Sequence, residues 1–375
     1  MLYIPADQLR PGMVLARDLP SDFFGLALAA VGHALSARNI IRIVELGIPG
    51  AYVESNIDIE LDISHQDVLS PAVQKKLITG IRQQFTAYAS HGGTVSDQTI
   101  EAFYSMSSEM VTNILSKEHV LLNMVSIKRY DDYTYSHSAM VGLISTLIGT
   151  KLGMKTSELE SLATAGLMHD IGKLDVPIEI TNKPARLTRE EFEIMKTHPS
   201  NAVLRLRENR RFNMVVLRGI ECHHEKYDGT GYPHALSGES IPLFGRILAL
   251  ADVYDALTSK RSYRDSWTSD QVIEYMMGLA GIHFDFDLLN AFLTVVSAYP
   301  IGSVVELSNG DVGVVVANTP GMTLRPRVQV LTPQEKQGVR LDLACDSNCL
   351  SITVVRTITD MSGLPSDIFK IAQTA

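Results

Sequence analysis

The chain has 375 residues and a formal net charge of -9, from 33 Lys and Arg against 42 Asp and Glu. That balance excludes a broad surface for nucleic-acid polymers, which neutralise phosphates with many cations, but leaves room for a small anionic ligand held by a few local ones. The length predicts two or three domains, and 45% hydrophobic with 20% charged residues describes ordinary folded cores.

Residues 1–65 read as a small N-terminal α+β unit. The start, Met1-Leu2-Tyr3-Ile4-Pro5-Ala6-Asp7, has no basic stretch leading into an apolar core, so no signal peptide is expected. Short β-like runs at 13–16, 51–54 and 57–63 are punctuated by Pro11-Gly12 and Pro49-Gly50, and residues 37–46 carry helical spacing between them. His33 stands alone here and is read as a packed or surface histidine. The apolar run at 26–31 is far shorter than the roughly 20 residues that span a bilayer, so no membrane span is expected. The unit is expected to regulate or to form a homodimer.

Residues 66–118 are expected to be a helical connector. Val73, Leu77, Ile78, Ile81 and Phe85 recur on one stripe, a polar stretch at 90–97 interrupts it, and Ile100, Phe103, Met106, Met110, Ile114 and Leu115 resume a second. A methionine-bearing stripe of this kind is core rather than a cofactor box.

Residues 119–299 read as an all-α domain in which candidate ligands accumulate. A helix over 133–152 carries His137, and one over 161–174 carries His169-Asp170-Ile171-Gly172-Lys173. Thr188 with Glu191 forms a capping box that opens the helix leading to His198. The segment 211–224 ends in His223-His224, and 243–260 carries Asp252 and Asp255, spaced to share one helical face. Between them, Asp228-Gly229-Thr230-Gly231-Tyr232-Pro233 is a glycine-rich loop where backbone can approach a ligand closely.

Residues 300–375 shift to Val-rich alternation: 303–307, an Asn309-Gly310 turn, 312–317, 327–331 and 352–356 predict a small antiparallel β unit. Three cysteines, Cys222, Cys345 and Cys349, fit a reducing cytoplasm rather than a disulfide framework. Cys345 and Cys349 are read as small buried or edge residues. The expected fold is multidomain, an all-α catalytic domain flanked by a small N-terminal α+β unit and a small C-terminal β unit.

His137, His169, Asp170, His198, His223, His224 and Asp252 form a nitrogen and oxygen donor set without thiolate. Any one of these histidines alone would be an ordinary structural residue. Together they exceed what one ion needs, so the count favours two divalent metal ions, with Asp170 able to bridge them.

These residues carry a resemblance. His169-Asp170, with His137 upstream and Asp252 downstream, is similar to the HD phosphohydrolase superfamily. The run His223-His224-Glu225 through Gly231-Tyr232-Pro233, then Ala251-Asp252 and Arg261-Ser262-Tyr263-Arg264, resembles its HD-GYP family of cyclic di-GMP phosphodiesterases, over roughly residues 120–300. Residues 1–65 resemble, more weakly, a small N-terminal domain often fused to bacterial HD-GYP modules. The resemblance implies metal ligation by the seven residues above, with Asp170 bridging, and iron or manganese as the ions. Some relatives hold a third metal with a glutamate one turn before the first histidine; Tyr133 stands there, which resembles the binuclear subgroup.

Under that resemblance cyclic di-GMP is cut at one 3′–5′ phosphodiester to linear pGpG, and a second cut gives GMP. Asp170 and Lys173 are the expected catalytic pair, with Lys173 holding a nonbridging phosphate oxygen. Arg261 and Arg264 are candidates for phosphate or guanine contact, or else are cations at a helix C-terminus. Gly231, Tyr232 and Asp255 complete the expected substrate contacts, and the Gly229–Pro233 loop is expected to serve protein partners as well. Two alternatives stand beside this reading: a module that binds the dinucleotide without turnover, and a phosphohydrolase for another nucleotide or cyclic dinucleotide.

Overall fold

The computed structural model describes residues 1–375 except 21–26, 47, 63–67, 91–94, 118–120, 123–132, 208–211, 260–265 and 373–375. The N-terminal unit contains β1 (Leu2–Pro5), β2 (Leu19–Pro20), β3 (Ala27–Ala29), α1 (Ala37–Glu45) and β4 (Gly50–Val53). Ser36 caps α1 through a reciprocal box with Asn39. β1 and β4 pair antiparallel, with Leu2 opposite Val53. The expected run at 13–16 is present as isolated bridges from Met13, Val14 and Leu15. Residues 57–62, expected as a strand, are irregular.

α2 (Pro71–Ser90) and α3 (Asp97–Leu115) follow the two apolar stripes. Leu77, Ile81, Phe85 and Tyr88 are buried on one, and Ile100, Phe103, Met110 and Ile114 on the other. Leu115, expected on the second stripe, is exposed, because it stands about 100° round the helix from the buried Ile114.

The helical body is built round α4 (Tyr133–Lys151), buried at every residue from 136 to 149. A helix apolar on all sides belongs at the centre of a core. α5 (Thr156–Met168) crosses α4 at near backbone contact: a Cβ on Gly166 would come 2.6 Å from the Cα of Gly142. That close crossing draws His137 of α4 towards the C-terminal end of α5. α6 (Ile178–Thr181), α7 (Arg189–Met195), α8 (His198–Leu206), α9 (Met214–Glu221), α10 (Leu243–Thr258), α11 (Ser269–Met277) and α12 (Phe286–Val295) complete the body. α10 and α12 pack on α4, and α9 packs on α5, α8 and α10.

The C-terminal unit is a five-stranded antiparallel sheet of β5 (Val304–Leu307), β6 (Val312–Ala317), β7 (Arg327–Thr332), β8 (Arg340–Asp342) and β9 (Val354–Ile358), in the order β8-β7-β6-β5-β9. The two terminal units are not separate flanks. Tyr3 N–H donates to Gly302 O at 3.0 Å, the Tyr52 hydroxyl donates to Ile301 O at 3.0 Å, and Asp62 N–H donates to Val316 O at 2.8 Å. Met13 and Ser55 also bridge to Ile371 and Phe369, so the chain's two ends close over each other. Among the described residues no helix is long and apolar enough to cross a membrane.

Candidate metal centre

Helix ends deliver most of the candidate ligands. α5 stops at Met168; His169 is its C-cap, Asp170 leaves helical geometry at φ -99° and ψ 5°, and a 3₁₀ turn runs over Ile171–Asp175. The HDIGK segment was expected inside one helix, and the break after His169 is what swings Asp170 and Lys173 into the centre. α7 opens on the Thr188–Glu191 capping box and ends just before His198, the first residue of α8. α9 ends at Glu221, with Cys222 as C-cap, so His223 and His224 project from its end. Asp252 and Asp255 sit one turn apart on α10.

The structure brings His137, His169, Asp170, His198, His223, His224 and Asp252 together. Asp170 spans the cluster: Oδ2 lies 3.4 Å from His169 Nε2 and 3.7 Å from His137 Nε2, while Oδ1 lies 3.4 Å from His198 Nε2. Asp252 spans it a second way, with Oδ1 3.2 Å from His137 Nε2 and Oδ2 3.8 Å from His224 Nδ1. His198 and His223 face each other Nε2 to Nε2 at 3.4 Å. Two compact donor groups result, His137 with His169 and Asp170, and His198 with His223 and His224.

The rings are aimed from behind. His169, His198 and His223 each donate from Nδ1 to a carbonyl three residues earlier, Gly166 at 2.8 Å, Met195 at 2.8 Å and Ile220 at 2.6 Å. Those carbonyls belong to the last turns of α5, α7 and α9, where helices leave oxygens without an intrahelical donor. Each bond fixes the proton on Nδ1 and turns the Nε2 lone pair to the centre. His137 Nδ1 instead meets Asp255 Oδ2 at 2.7 Å.

At five of the ligands, His198, His223, His224, Asp170 and Asp252, electrostatics favour the metal-ready form; His137 is the exception, a ring that must give up a proton to bind an ion. Burial, reinforced by the Lys173 charge, brings His198 down to about 3, and burial brings His224 down to about 4. Burial, with the neighbouring histidines adding, holds His223 well below its usual value. These rings therefore stay neutral with free lone pairs. Burial opposes ionisation of Asp170 and Asp252, yet His169 and Lys173 around the first, and His137 beside the second, keep both carboxyls well below the ordinary range. Burial opposes a charge on His137 too, but hydrogen bonds to Asp252 and Asp255 outweigh it and carry the ring up to about 9.

The donor set fits divalent cations. Among the described residues, His169 Nε2 and Asp170 Oδ1 are buried without a hydrogen-bond partner, a costly arrangement that a coordinated cation relieves. All seven side chains offer nitrogen or oxygen, and Cys222, close in sequence, lies outside the set.

Lys173 Nζ donates to Asp170 Oδ2 at 2.6 Å with a third of its side chain exposed, so it borders the centre on the solvent side. The Tyr232 ring stacks on His224, centroids 4.8 Å apart, and meets Phe192 edge to face. Gly231 lies against the backbone of Glu225 and Lys226, where a Cβ has no room. Asp255, expected as a substrate contact, is 1% exposed and sits behind His137, out of reach from the solvent side. Arg261 and Arg264 lie outside the described residues, as does the side chain of Tyr133.

Sequence reasoning gave no role to Glu225. It is buried, and its two oxygens accept from His234 N–H at 2.7 Å and Leu236 N–H at 3.1 Å, which ties the far end of the glycine loop to the histidine pair. Its place directly after two histidines was a signal, but nothing in the spacing told a loop anchor from a ligand.

The HD domain family matches residues 109–288, and a KOW domain associated with HD domains matches 304–362. The chain is 33% identical over 297 residues to a cyclic di-GMP phosphodiesterase of Pseudomonas aeruginosa, covering 79% of this chain and 69% of that one. It is 38% identical over 179 residues to a 3′3′-cGAMP-specific phosphodiesterase of Vibrio cholerae, covering 48% and 34% of the two chains. A cyclic di-GMP phosphodiesterase of Thermotoga maritima is 35% identical over 201 residues, 52% of each.

Proposed function

The chain belongs to the HD-GYP family of phosphodiesterases, and we propose that it hydrolyses a phosphodiester bond of cyclic di-GMP with divalent metal held by Asp170, Asp252 and five histidines. The observation that carries this reading is the span of Asp170, whose two buried oxygens reach separate histidine groups. A count of two ions is supported by the two donor groups, and iron or manganese by the family resemblance, with which a nitrogen and oxygen donor set without thiolate agrees.

Bound divalent ions would lower the pKa of water and neutralise charge growing on the phosphoryl oxygens. The protein's part is positional. His169, His198 and His223 are locked with Nε2 forward, and His224 is braced by Tyr232. The Lys173 ammonium, partly exposed beside Asp170, takes a nonbridging oxygen of the phosphate. Tyr232 and Gly231 wall the cleft, held in place by Glu225, and Arg261 and Arg264 are the further candidates for phosphate or guanine. The product of one cut is linear pGpG, and of a second, GMP.

Protein contacts through the loop belong to the same reading, supported by the exposed Phe192 ring beside Tyr232. A regulatory or dimerising role for the N-terminal unit is supported by Ile41 and Val44, exposed on the outer side of α1. Placement in the cytoplasm is supported by three cysteines, none in a disulfide.

The Vibrio cholerae relative favours one second reading, in which 3′3′-cGAMP is the preferred substrate. Competition between the two dinucleotides, with products separated by chromatography, decides. Cyclic di-GMP turned over with the higher kcat/KM supports the proposal, and a preference for 3′3′-cGAMP replaces it with the second reading.

A further inference from the structure

Of the four histidines whose Nδ1 anchor is described, His137 alone is held by a carboxylate. The reason lies in where it stands. His169, His198 and His223 each follow a helix end and find a spare carbonyl there. His137 is the fifth residue of α4, with the helix continuing to Lys151, so the carbonyls downstream and around it serve the helix's own N–H groups. Its Nδ1 partner must come from another element, and α10 supplies Asp255 Oδ2 at 2.7 Å.

α10 holds this ring at both nitrogens. Asp255 meets Nδ1, and Asp252, one turn earlier, lies 3.2 Å from Nε2. His137 is 3% exposed and Asp255 1%, and Ser259 Oγ lies 3.4 Å from both Asp255 oxygens, so the carboxylate has little freedom to turn away. A carboxylate on Nδ1–H fixes the tautomer and makes the opposite nitrogen a stronger donor than a carbonyl does.

We infer that Asp255 is a positioning residue for the metal centre: it fixes the His137 ring with Nε2 forward and strengthens that nitrogen as a ligand. The inference rests on the metal-dependent reading above and is independent of which dinucleotide is cut. Asp255 touches neither substrate nor ion. It acts through His137, and it ties α4 to α10 across the centre.

The test is titration of the full chain with Mn(II), comparing wild type, Asp255→Asn, Asp255→Ala and His137→Ala, with bound manganese measured by equilibrium dialysis and folding checked by circular dichroism. Asp255→Asn keeps an oxygen acceptor and removes the charge; it is expected to weaken the tighter phase of Mn(II) binding by about 10-fold, and Asp255→Ala by up to about 100-fold. In the His137→Ala background, Asp255→Asn is expected to change nothing further, which a purely structural role would not predict. At saturating Mn(II) the KM for cyclic di-GMP should match wild type in Asp255→Asn. Folded Asp255→Asn with wild-type Mn(II) affinity overturns the inference, as does a raised KM with unchanged metal binding, which would return Asp255 to the substrate. Absence of cyclic di-GMP turnover in the wild type would count against the proposed function alone, because the Mn(II) isotherms stand without it.

Discussion

The backbone of Gly172 lies directly against the carbonyl of His198. A Cβ on Gly172 would overlap that oxygen and come 2.7 Å from Ala202 N, and both are main-chain atoms of α8 that cannot swing aside. The contact seats the turn carrying Asp170 and Lys173 on the helix that begins with His198, which is why Asp170 Oδ1 comes within 3.4 Å of His198 Nε2.

Gly172→Ala therefore forces the HDIGK turn away from α8. Overpacking of this kind costs about 1–3 kcal/mol. Denaturant unfolding should show that loss, and bound Mn(II) per chain should fall with it. Wild-type stability together with full metal content would mean that the two segments do not depend on this contact.

Lys173→Met keeps the length of the side chain and removes its charge. Because Lys173 is not among the donors, bound metal should be retained, while loss of one donor to the phosphoryl group lowers kcat by about 100-fold. Metal analysis beside steady-state kinetics separates the two effects; a variant that loses its metal instead would assign Lys173 to holding Asp170.

Glu225→Ala leaves the His234 and Leu236 N–H groups without their acceptor, at about 1–3 kcal/mol for each one kept from water. Hydrogen exchange at residues 228–238 should quicken relative to α4 and α5. Because Tyr232 of this loop stacks on His224, Mn(II) binding should weaken as well. Unchanged exchange in the loop would show that Glu225 does not hold it.

Burial pushes the Cys222 thiol up to about 12, with Arg218 opposing and Glu221 adding. The folded protein at about pH 8 therefore keeps Cys222 protonated and shielded, and iodoacetamide should label the exposed Cys345 first. Cys222 should react only after unfolding, as peptide mass spectrometry would read. Labelling of Cys222 in the native protein would contradict its burial against Gly245 of α10.

Local periodicity made the helices legible. Leu77, Ile81 and Phe85 repeat at helical spacing and are buried, and the Thr188–Glu191 box marks the start of α7 in both sequence and structure. The candidate ligands could be named because histidines are few, 11 in the chain, and several fall next to each other or to Asp170. What was hidden depends on distance along the chain. β8, at Arg340–Asp342, is short and partly polar and takes its strand form from pairing with β7. The closing of residues 1–62 over the C-terminal sheet joins segments some 250 residues apart, with no pattern in either to announce the other. Asp255 shares a helical face with Asp252, which suggested a shared role. Depth separates them: the first reaches Nδ1 of His137 from behind and the second faces Nε2.

The central claim is that Asp170 holds metal between two histidine groups and that this centre cuts cyclic di-GMP. The most direct measurement is anaerobic loading of wild type and Asp170→Ala with Mn(II) or Fe(II), followed by metal analysis and chromatography of cyclic di-GMP reactions. The account predicts about two ions per wild-type chain with pGpG or GMP formed, and fewer ions with no product from Asp170→Ala. Fully loaded wild type that leaves cyclic di-GMP intact with both metals would contradict it.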